Sequence, residues 1–278
     1  VIREHALRIG DRAVLLLEGP SGWGECSPLA GYPCDARLAR LAAEEAAAGE
    51  WPAAVRAAVP VSALVADRLD PTAFAGAPAV KVKVGRRPLD RDVARVAEVR
   101  ACIGPTVALR VDANGAWDLD TATVALTRLQ PYDLELAEQP VATLEDLAAL
   151  RRRVPVRLAA DECVRSVDDA RRLEQLDAAD AVVLKVQPLG GVRTALEVAE
   201  ASGVPAVVTS MLETSIGIAA GLALACALPE LPFACGLATL DEIAGDVTHE
   251  PLRPDGWVLR PRRVVPAPDL LARYSETS

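Results

Sequence analysis

A parallel α/β barrel carrying a small capping region is the fold class predicted for this chain of 278 residues. Three observations predict it. Between residues 60 and 235, apolar runs of about four to six residues alternate with amphipathic helical segments, which is the signature of βαβ units and a parallel sheet. Eight such runs are enough to close a (β/α)8-type, modified TIM barrel with an abbreviated last unit. Charged residues stand at successive run ends, where a barrel strand meets its C-terminal loop. An open doubly wound sheet is the alternative, and no GxGxxG fingerprint supports it.

The runs read as follows. Residues 1–27 form a small β region, with Arg12–Glu18 apolar, a turn at Gly19–Gly22 and a short return at Trp23–Cys26. Ala36–Gly49 is an alanine-rich helix stopped by glycine. Strands follow at Pro60–Val65, Ala79–Val84, Val107–Asp112, Leu134–Glu138, Val156–Asp161, Ala181–Lys185, Ala206–Ser210 and Pro232–Cys235. From the second strand onward, helices separate them at Leu89–Ala101, Leu119–Leu129, Leu144–Arg152, Val167–Leu176, Val192–Ala201 and Ile216–Ala227. Little room remains for a helix between Val65 and Ala79. The expected boundaries are a cap at 1–58, a barrel at 59–246 and a tail at 247–278. Gly256–Val265 of that tail is expected to rejoin the N-terminal β region.

Composition narrows the function. A hydrophobic content of 51% is ample for one large core, and the net charge of −9 argues against a nucleic-acid partner. No apolar run reaches the roughly 18 residues of a membrane span, and no N-terminal signal pattern appears. Six scattered cysteines without a CxxC pair read as reduced, mostly buried thiols of a cytoplasmic protein. Only His5 and His249 are available, so a histidine-rich zinc site or a Ser-His-Asp triad is excluded as the natural reading. Acid–base work falls to lysines and carboxylates.

Lys81 and Lys83 alternate with Val80, Val82 and Val84, so both ammonium groups share one strand face. Burying an unpaired charge is costly, so something inside must answer them. Asp112, Glu138, Asp161 and Lys185 follow at intervals of 29, 26, 23 and 24 residues, one per βα unit. Adjacent strands lie about 4.8 Å apart, so Asp112, Glu138 and Asp161 are expected to converge. Three such carboxylates suit a hard cation, Mg²⁺ or Mn²⁺, with positions left for substrate. Lys83 and Lys185 are expected to face each other across the barrel mouth, with a small carboxylate substrate between them.

Each residue has a plainer reading. A strand-end aspartate can be a helix N-cap. Lys81 can be an ion-pair partner rather than a catalytic group. Arg110 reads as a structural ion pair lower in the barrel. Asn114 and Trp117 can be turn chemistry and packing. Gly190 and Gly191 form an ordinary loop or offer N–H groups to a substrate carboxylate. Glu213 and Thr214 can mark a helix start.

Taken together, these motifs resemble the enolase superfamily, muconate-lactonizing subgroup. They are Lys81-Val-Lys83, Val111-Asp112-Ala-Asn114-Gly-Ala-Trp117, Ala137-Glu138-Gln139-Pro140, Ala160-Asp161-Glu162 and Leu184-Lys185-Val-Gln-Pro-Leu-Gly190-Gly191. Trp23-Gly24-Glu25-Cys26-Ser27-Pro28, Leu212-Glu213-Thr214-Ser215 and Ala234-Cys235-Gly236-Leu237 resemble a dehydratase branch of short, actinobacterial type.

The resemblance implies a metal-dependent syn dehydration of 2-succinyl-6-hydroxy-2,4-cyclohexadiene-1-carboxylate in menaquinone biosynthesis. Lys83, Lys185 and Lys81 would be catalytic. Asp112, Glu138 and Asp161 would hold Mg²⁺, with Mn²⁺ an option. Asn114, Gly190, Gly191, Ser210, Leu212 and Glu213 would meet substrate. An N-acylamino-acid racemase or dipeptide epimerase on the same scaffold is the alternative, and a non-catalytic carboxylate-binding barrel a remote one. The sequence departs from the family at its N-terminal side. The cap's usual first strand and much of the loop that closes over substrate are not visible, and Cys163 stands where many relatives carry serine.

Overall fold

The computed structural model describes residues 2–66 and 70–275. The cap is a three-stranded antiparallel sheet of β1 (Arg3–Ile9), β2 (Arg12–Glu18) and β3 (Trp23–Cys26), backed by helix α1 (Ala36–Ala48). The β1 strand went unread because its REHALRI sequence carries four polar residues; only Leu7 and Ile9 are buried. Asp35 caps α1 by accepting from Arg37 N, and the left-handed Gly49 ends it.

The barrel begins with the short strands β4 (Val59–Pro60) and β5 (Ala63–Val65). Its parallel strands continue as β6 (Ala79–Lys83), β7 (Ala108–Asp112), β8 (Leu134–Glu138), β9 (Leu158–Ala160), β10 (Ala181–Leu184) and β11 (Ala206–Val208). The sheet runs β11-β10-β9-β8-β7-β6-β5, each strand beside its sequence neighbour. Helices α2 (Leu89–Ile103), α3 (Leu119–Leu129), α4 (Leu144–Arg151), α5 (Val167–Leu176), α6 (Val186–Leu189), α7 (Val192–Ser202) and α8 (Ser215–Ala227) lie between or after the strands. Asp118, Thr143, Ser166 and Thr214 cap four of them from the side chain. The α6 turn was not anticipated.

Three expectations need correction. The eighth run, Pro232–Cys235, does not form a strand. Proline lacks one ladder donor, and what remains is two bridges, Cys235 to Val61 and Gly236 to Thr209. Four backbone bonds of 2.8–2.9 Å close the ring there: Cys235 N to Pro60 O, Ser62 N to Cys235 O, Gly236 N to Val208 O and Ser210 N to Gly236 O. The tail strand β12 (Val258–Leu259) pairs with β4, not with the cap sheet. The cap is reached instead by helix α9 (Pro268–Tyr274) and a bridge from Ser275 to Leu7. Finally, the cysteines are not mostly buried. Only Cys226 and Cys235 are; Cys102 is exposed and the other three are intermediate. The first crossover holds a single 3-10 turn, Pro71–Phe74, and residues 67–69 between it and β5 lie outside the described residues.

Strand alternation divides the side chains. Val80, Val82 and Val84 point outward into the core shared with the helices. Leu136, Ala159, Ala181, Val183, Val207 and Phe233 form a separate cluster, which fills the interior of the ring. Arg110 lies against this plug, with its guanidinium 5.6 Å from the Phe233 ring centre and bonded to Glu135 and to Ala234 O. Counting two residues onward from Leu136, Ala159, Val183 and Arg110 reaches Glu138, Asp161, Lys185 and Asp112. Their place at the mouth therefore follows from the period of two.

Candidate active site

The site stands on the ends of β6 to β10. Register pairs Lys83 with Asp112 and Asp112 with Glu138 on neighbouring strands. Asp112, Glu138 and Asp161 are all buried, with 0–4% of their surface exposed. Three ammonium groups answer them. Lys81 Nζ donates to Glu138 at 2.9 and 3.1 Å and lies 3.1 Å from Asp112 Oδ2. Lys83 Nζ donates to Asp112 Oδ2 at 2.6 Å and to Asn114 Oδ1 at 2.9 Å. Lys185, in extended backbone where β10 meets α6, is bonded to Asp161 Oδ2.

Electrostatics follow from burial and pairing. Burial disfavours the charged form of Lys81, but Glu138 and Asp112 outweigh it and hold the ammonium above its ordinary range. Lys185 behaves alike, with Asp161 and Glu138 outweighing burial. Burial raises Asp112, yet Lys81 and Lys83 more than reverse this, so its carboxyl stays well below the usual range. Glu138 is raised, by burial first and then by repulsion from Asp112. Burial also leaves Asp161 raised, although Lys185 opposes it.

The carboxylates do not all turn to one point. Asp112 and Glu138 share Lys81, whereas Asp161 faces Lys185 and accepts from the Tyr32 hydroxyl at 2.8 Å. Among the described residues, no group of three His, Cys, Asp or Glu side chains is closed up so as to hold an ion. The donor chemistry nonetheless fits a divalent cation. Three buried, oxygen-only carboxylates are gathered at the ends of consecutive strands, and positive charge already offsets their repulsion. Each lysine occupies only part of the acceptor capacity of its carboxylate, and the remaining oxygen lone pairs are what an ion would take.

A cavity of about 600 Å³ opens above these groups, within the range of small-molecule sites. Lys81, Lys83, Asp112, Asn114, Glu138, Lys185, Ser210 and Leu212 line it. Leu29 to Pro33, between β3 and α1, line it too. Tyr32, which sequence reasoning missed, places its ring 4.6 Å from the Lys185 Nζ.

Three of the substrate-binding expectations lie elsewhere. Gly190 N and Gly191 N donate to Gln187 O and Val186 O, and neither glycine lines the cavity. The free N–H groups at the start of α7, from Val192 and Arg193, go to the Glu45 carboxylate of the cap at 2.5 and 3.2 Å. That anion belongs to the protein, because α1 packs on α6 and sets Glu45 against the start of α7. Glu213 is buried beneath the cavity wall, accepting from Met211 N at 2.6 Å and Gln187 Nε2 at 3.2 Å. Burial, followed by repulsion from Glu25, pushes it up to about 7. Thr214 is the N-cap of α8.

A second missed set ties cap to barrel. Glu25 accepts from Thr214 Oγ1 at 2.5 Å and Gly217 N at 3.0 Å, and Ser27 N donates to Gln187 Oε1 at 2.7 Å. Arg12 donates to Ser27 O, Met211 O and Leu212 O. This braces Leu212, whose φ of 61° is left-handed. Of these, Glu25, Ser27, Gln187, Leu212 and Thr214 fall in motifs that carried the resemblance, whereas Arg12 carried no sequence signal.

Comparison with known proteins agrees with this geometry. The family profile described as Enolase C-terminal domain-like matches residues 64–264, and Enolase N-terminal domain-like matches residues 8–48. The muconate lactonizing enzyme from Pseudomonas putida superposes with a TM-score of 0.85 at 22% identity, covering 99% of each chain. That likeness shows the fold of an enolase-type barrel with its cap.

Closer in sequence are o-succinylbenzoate synthases. That of Thermobifida fusca (strain YX) is 51% identical over 263 residues, covering 91% of this chain and 82% of the relative. That of Mycobacterium marinum is 45% identical over 273 residues, covering 94% and 81%. The chain belongs to the o-succinylbenzoate synthase family of the enolase superfamily.

Proposed function

We propose that this chain dehydrates 2-succinyl-6-hydroxy-2,4-cyclohexadiene-1-carboxylate to o-succinylbenzoate, the reaction of menaquinone biosynthesis, by a syn elimination through an enediolate. The observation that carries the reading is the disposition of the two lysines. Lys83 ends β6 and Lys185 follows β10, four strands away in the sheet, and both line one cavity. Family membership chooses the substrate.

Lys83, through its nitrogen lone pair, takes the proton from the ring carbon bearing the carboxylate, and the C–H electron pair moves into an enediolate. Asn114 and Asp112 fix the Lys83 nitrogen in place. The enediolate collapses, the C–O bond to the ring hydroxyl breaks, and Lys83 returns its proton to the departing oxygen on the same face. Water leaves and the ring becomes aromatic. One proton-transferring group is typically worth about 10² to 10⁴ in rate. Lys185 stays cationic against Asp161 and Tyr32 and faces the other side of the enediolate. Asp112, Glu138 and Asp161 would hold the divalent cation, Mg²⁺ with Mn²⁺ as a substitute, whose charge stabilises the enediolate, as is general for this superfamily. Lys81, paired with Asp112 and Glu138, holds these two carboxylates in register.

The test is product analysis with Mg²⁺ and the cyclohexadiene substrate, run beside an N-acylamino acid in D₂O. Dehydration with the higher kcat/KM is the expected outcome. Rapid α-deuteration of the amino acid with slow o-succinylbenzoate formation would assign the chain to the racemases instead.

A further inference from the structure

Every lysine lining the cavity is bonded to a carboxylate, but one further cation is not. Arg86 lines the cavity on the loop after β6, is exposed, and has no side-chain partner among the described residues. Its backbone is held firmly. Gly85 N donates to the buried Asp92 carboxylate at 2.7 Å. Gly85 itself has φ +82°, and a Cβ there would meet Ala116 Cβ at 2.9 Å and Ala113 O at 3.2 Å. The turn is therefore fixed by a position only glycine fills, and Arg86 leaves it three residues beyond Lys83 on the same strand end.

We propose that Arg86 is the recognition site for a second carboxylate of the substrate, remote from the reacting ring. This rests on the dehydration reading above, whose substrate carries a ring carboxylate and a terminal carboxylate on its succinyl arm. The three inner ammonium groups and the three metal-binding carboxylates all surround the ring end. The succinyl terminus needs a donor that is free, planar and placed toward the opening, and a guanidinium meets a carboxylate with two parallel N–H bonds. Glu162 and Glu242 also line the cavity and are acidic, so Arg86 alone among the lining side chains offers unclaimed positive charge. Arg86 thereby selects dicarboxylates over acids that carry only the ring carboxylate.

The experiment uses the Mg²⁺-loaded protein and two ligands that undergo no chemistry. One is o-succinylbenzoate; the other is 2-butyrylbenzoate, which carries a methyl group in place of the terminal carboxylate. Calorimetric Kd values are measured for wild type, Arg86→Gln and Arg86→Lys, with kcat and KM for the substrate. Arg86→Gln is expected to weaken o-succinylbenzoate about tenfold, the lower end for a charge-assisted bond because the rim is open to water. It should leave 2-butyrylbenzoate unchanged, raise KM and keep kcat within about threefold. Arg86→Lys should recover part of the affinity, and the wild-type preference for the dicarboxylate should shrink with salt. Equal losses for both ligands, or none for o-succinylbenzoate, overturn the assignment while leaving the dehydratase reading intact. A wild type that makes no o-succinylbenzoate overturns both.

Discussion

The hydroxyl of Tyr32 in the cap loop donates to Asp161 Oδ1 at 2.8 Å, and its ring lies 4.6 Å from the ammonium of Lys185, itself bonded to the same carboxylate. The cap thus touches two members of the barrel-end constellation at once. Tyr32→Phe keeps the ring and loses the hydrogen bond; Tyr32→Leu loses both. A hydrogen bond to a charged group is worth about 1.5–3 kcal/mol and a desolvated cation–π contact about 2 kcal/mol. We expect kcat/KM to fall roughly tenfold in Tyr32→Phe and further in Tyr32→Leu. Equal effects in both variants would show that the ring contributes nothing.

Lys83 and Lys185 should respond differently to replacement. Lys83→Ala removes the proposed base and acid together, and kcat should fall by at least about 10². Lys185→Arg preserves a cation that does not deprotonate, so dehydration should persist at a reduced level and fall further in Lys185→Ala. A racemase needs a base on each face and would be equally inactive in both Lys185 variants. Single-turnover assays of the three proteins decide the matter.

Chelation should abolish turnover, and Mg²⁺ or Mn²⁺ should restore it. Glu138→Gln should weaken metal binding, read by titration, more than it lowers the unfolding midpoint, because it relieves repulsion with Asp112 in the metal-free protein. Full turnover in excess chelator would eliminate the cation from the mechanism.

The Glu213 carboxyl gives a pH dependence with a definite sign. Its folded pKa is raised from 4.5 to about 7, so between these values the folded state binds more protons than the unfolded chain. Stability from this group is therefore full below about pH 4.5 and declines as pH rises through about 7. The full difference is on the order of 3 kcal/mol. Urea midpoints at pH 5 and pH 8 should converge in Glu213→Gln relative to wild type. An unchanged gap would place the proton elsewhere.

The period of two made the barrel face legible in the sequence. Lys81 with Lys83, Arg110 with Asp112, and the charges at 138, 161 and 185 are all placed by alternation along buried strands. What alternation cannot show is partnership between distant segments. Tyr32 sits in a loop with no periodicity, and Glu45 reaches Val192 across 147 residues, so nothing local in the sequence announces either contact. The Gly190–Gly191 reading failed for that reason: a helix start with free N–H groups looks open until the cap helix is packed on it. Pro232–Cys235 has a strand's apolar content but one donor too few to ladder fully on both sides.

The two-bridge closure at Cys235 and Gly236 gives the ring unequal stiffness. Between β6 and β8, paired registers of four or five residues clamp Lys83, Asp112 and Glu138, while the seam beside Val61 and Thr209 is zipped by four amide bonds. Amide protons of Ser62, Ser210, Cys235 and Gly236 should consequently exchange with solvent ahead of those in the central strands. Ser62, Ser210 and Gly236 line the cavity, so breathing at the seam would widen the mouth there and leave the charged side still. A bulkier ring could be admitted by loosening this join, with no change to any residue that handles a proton.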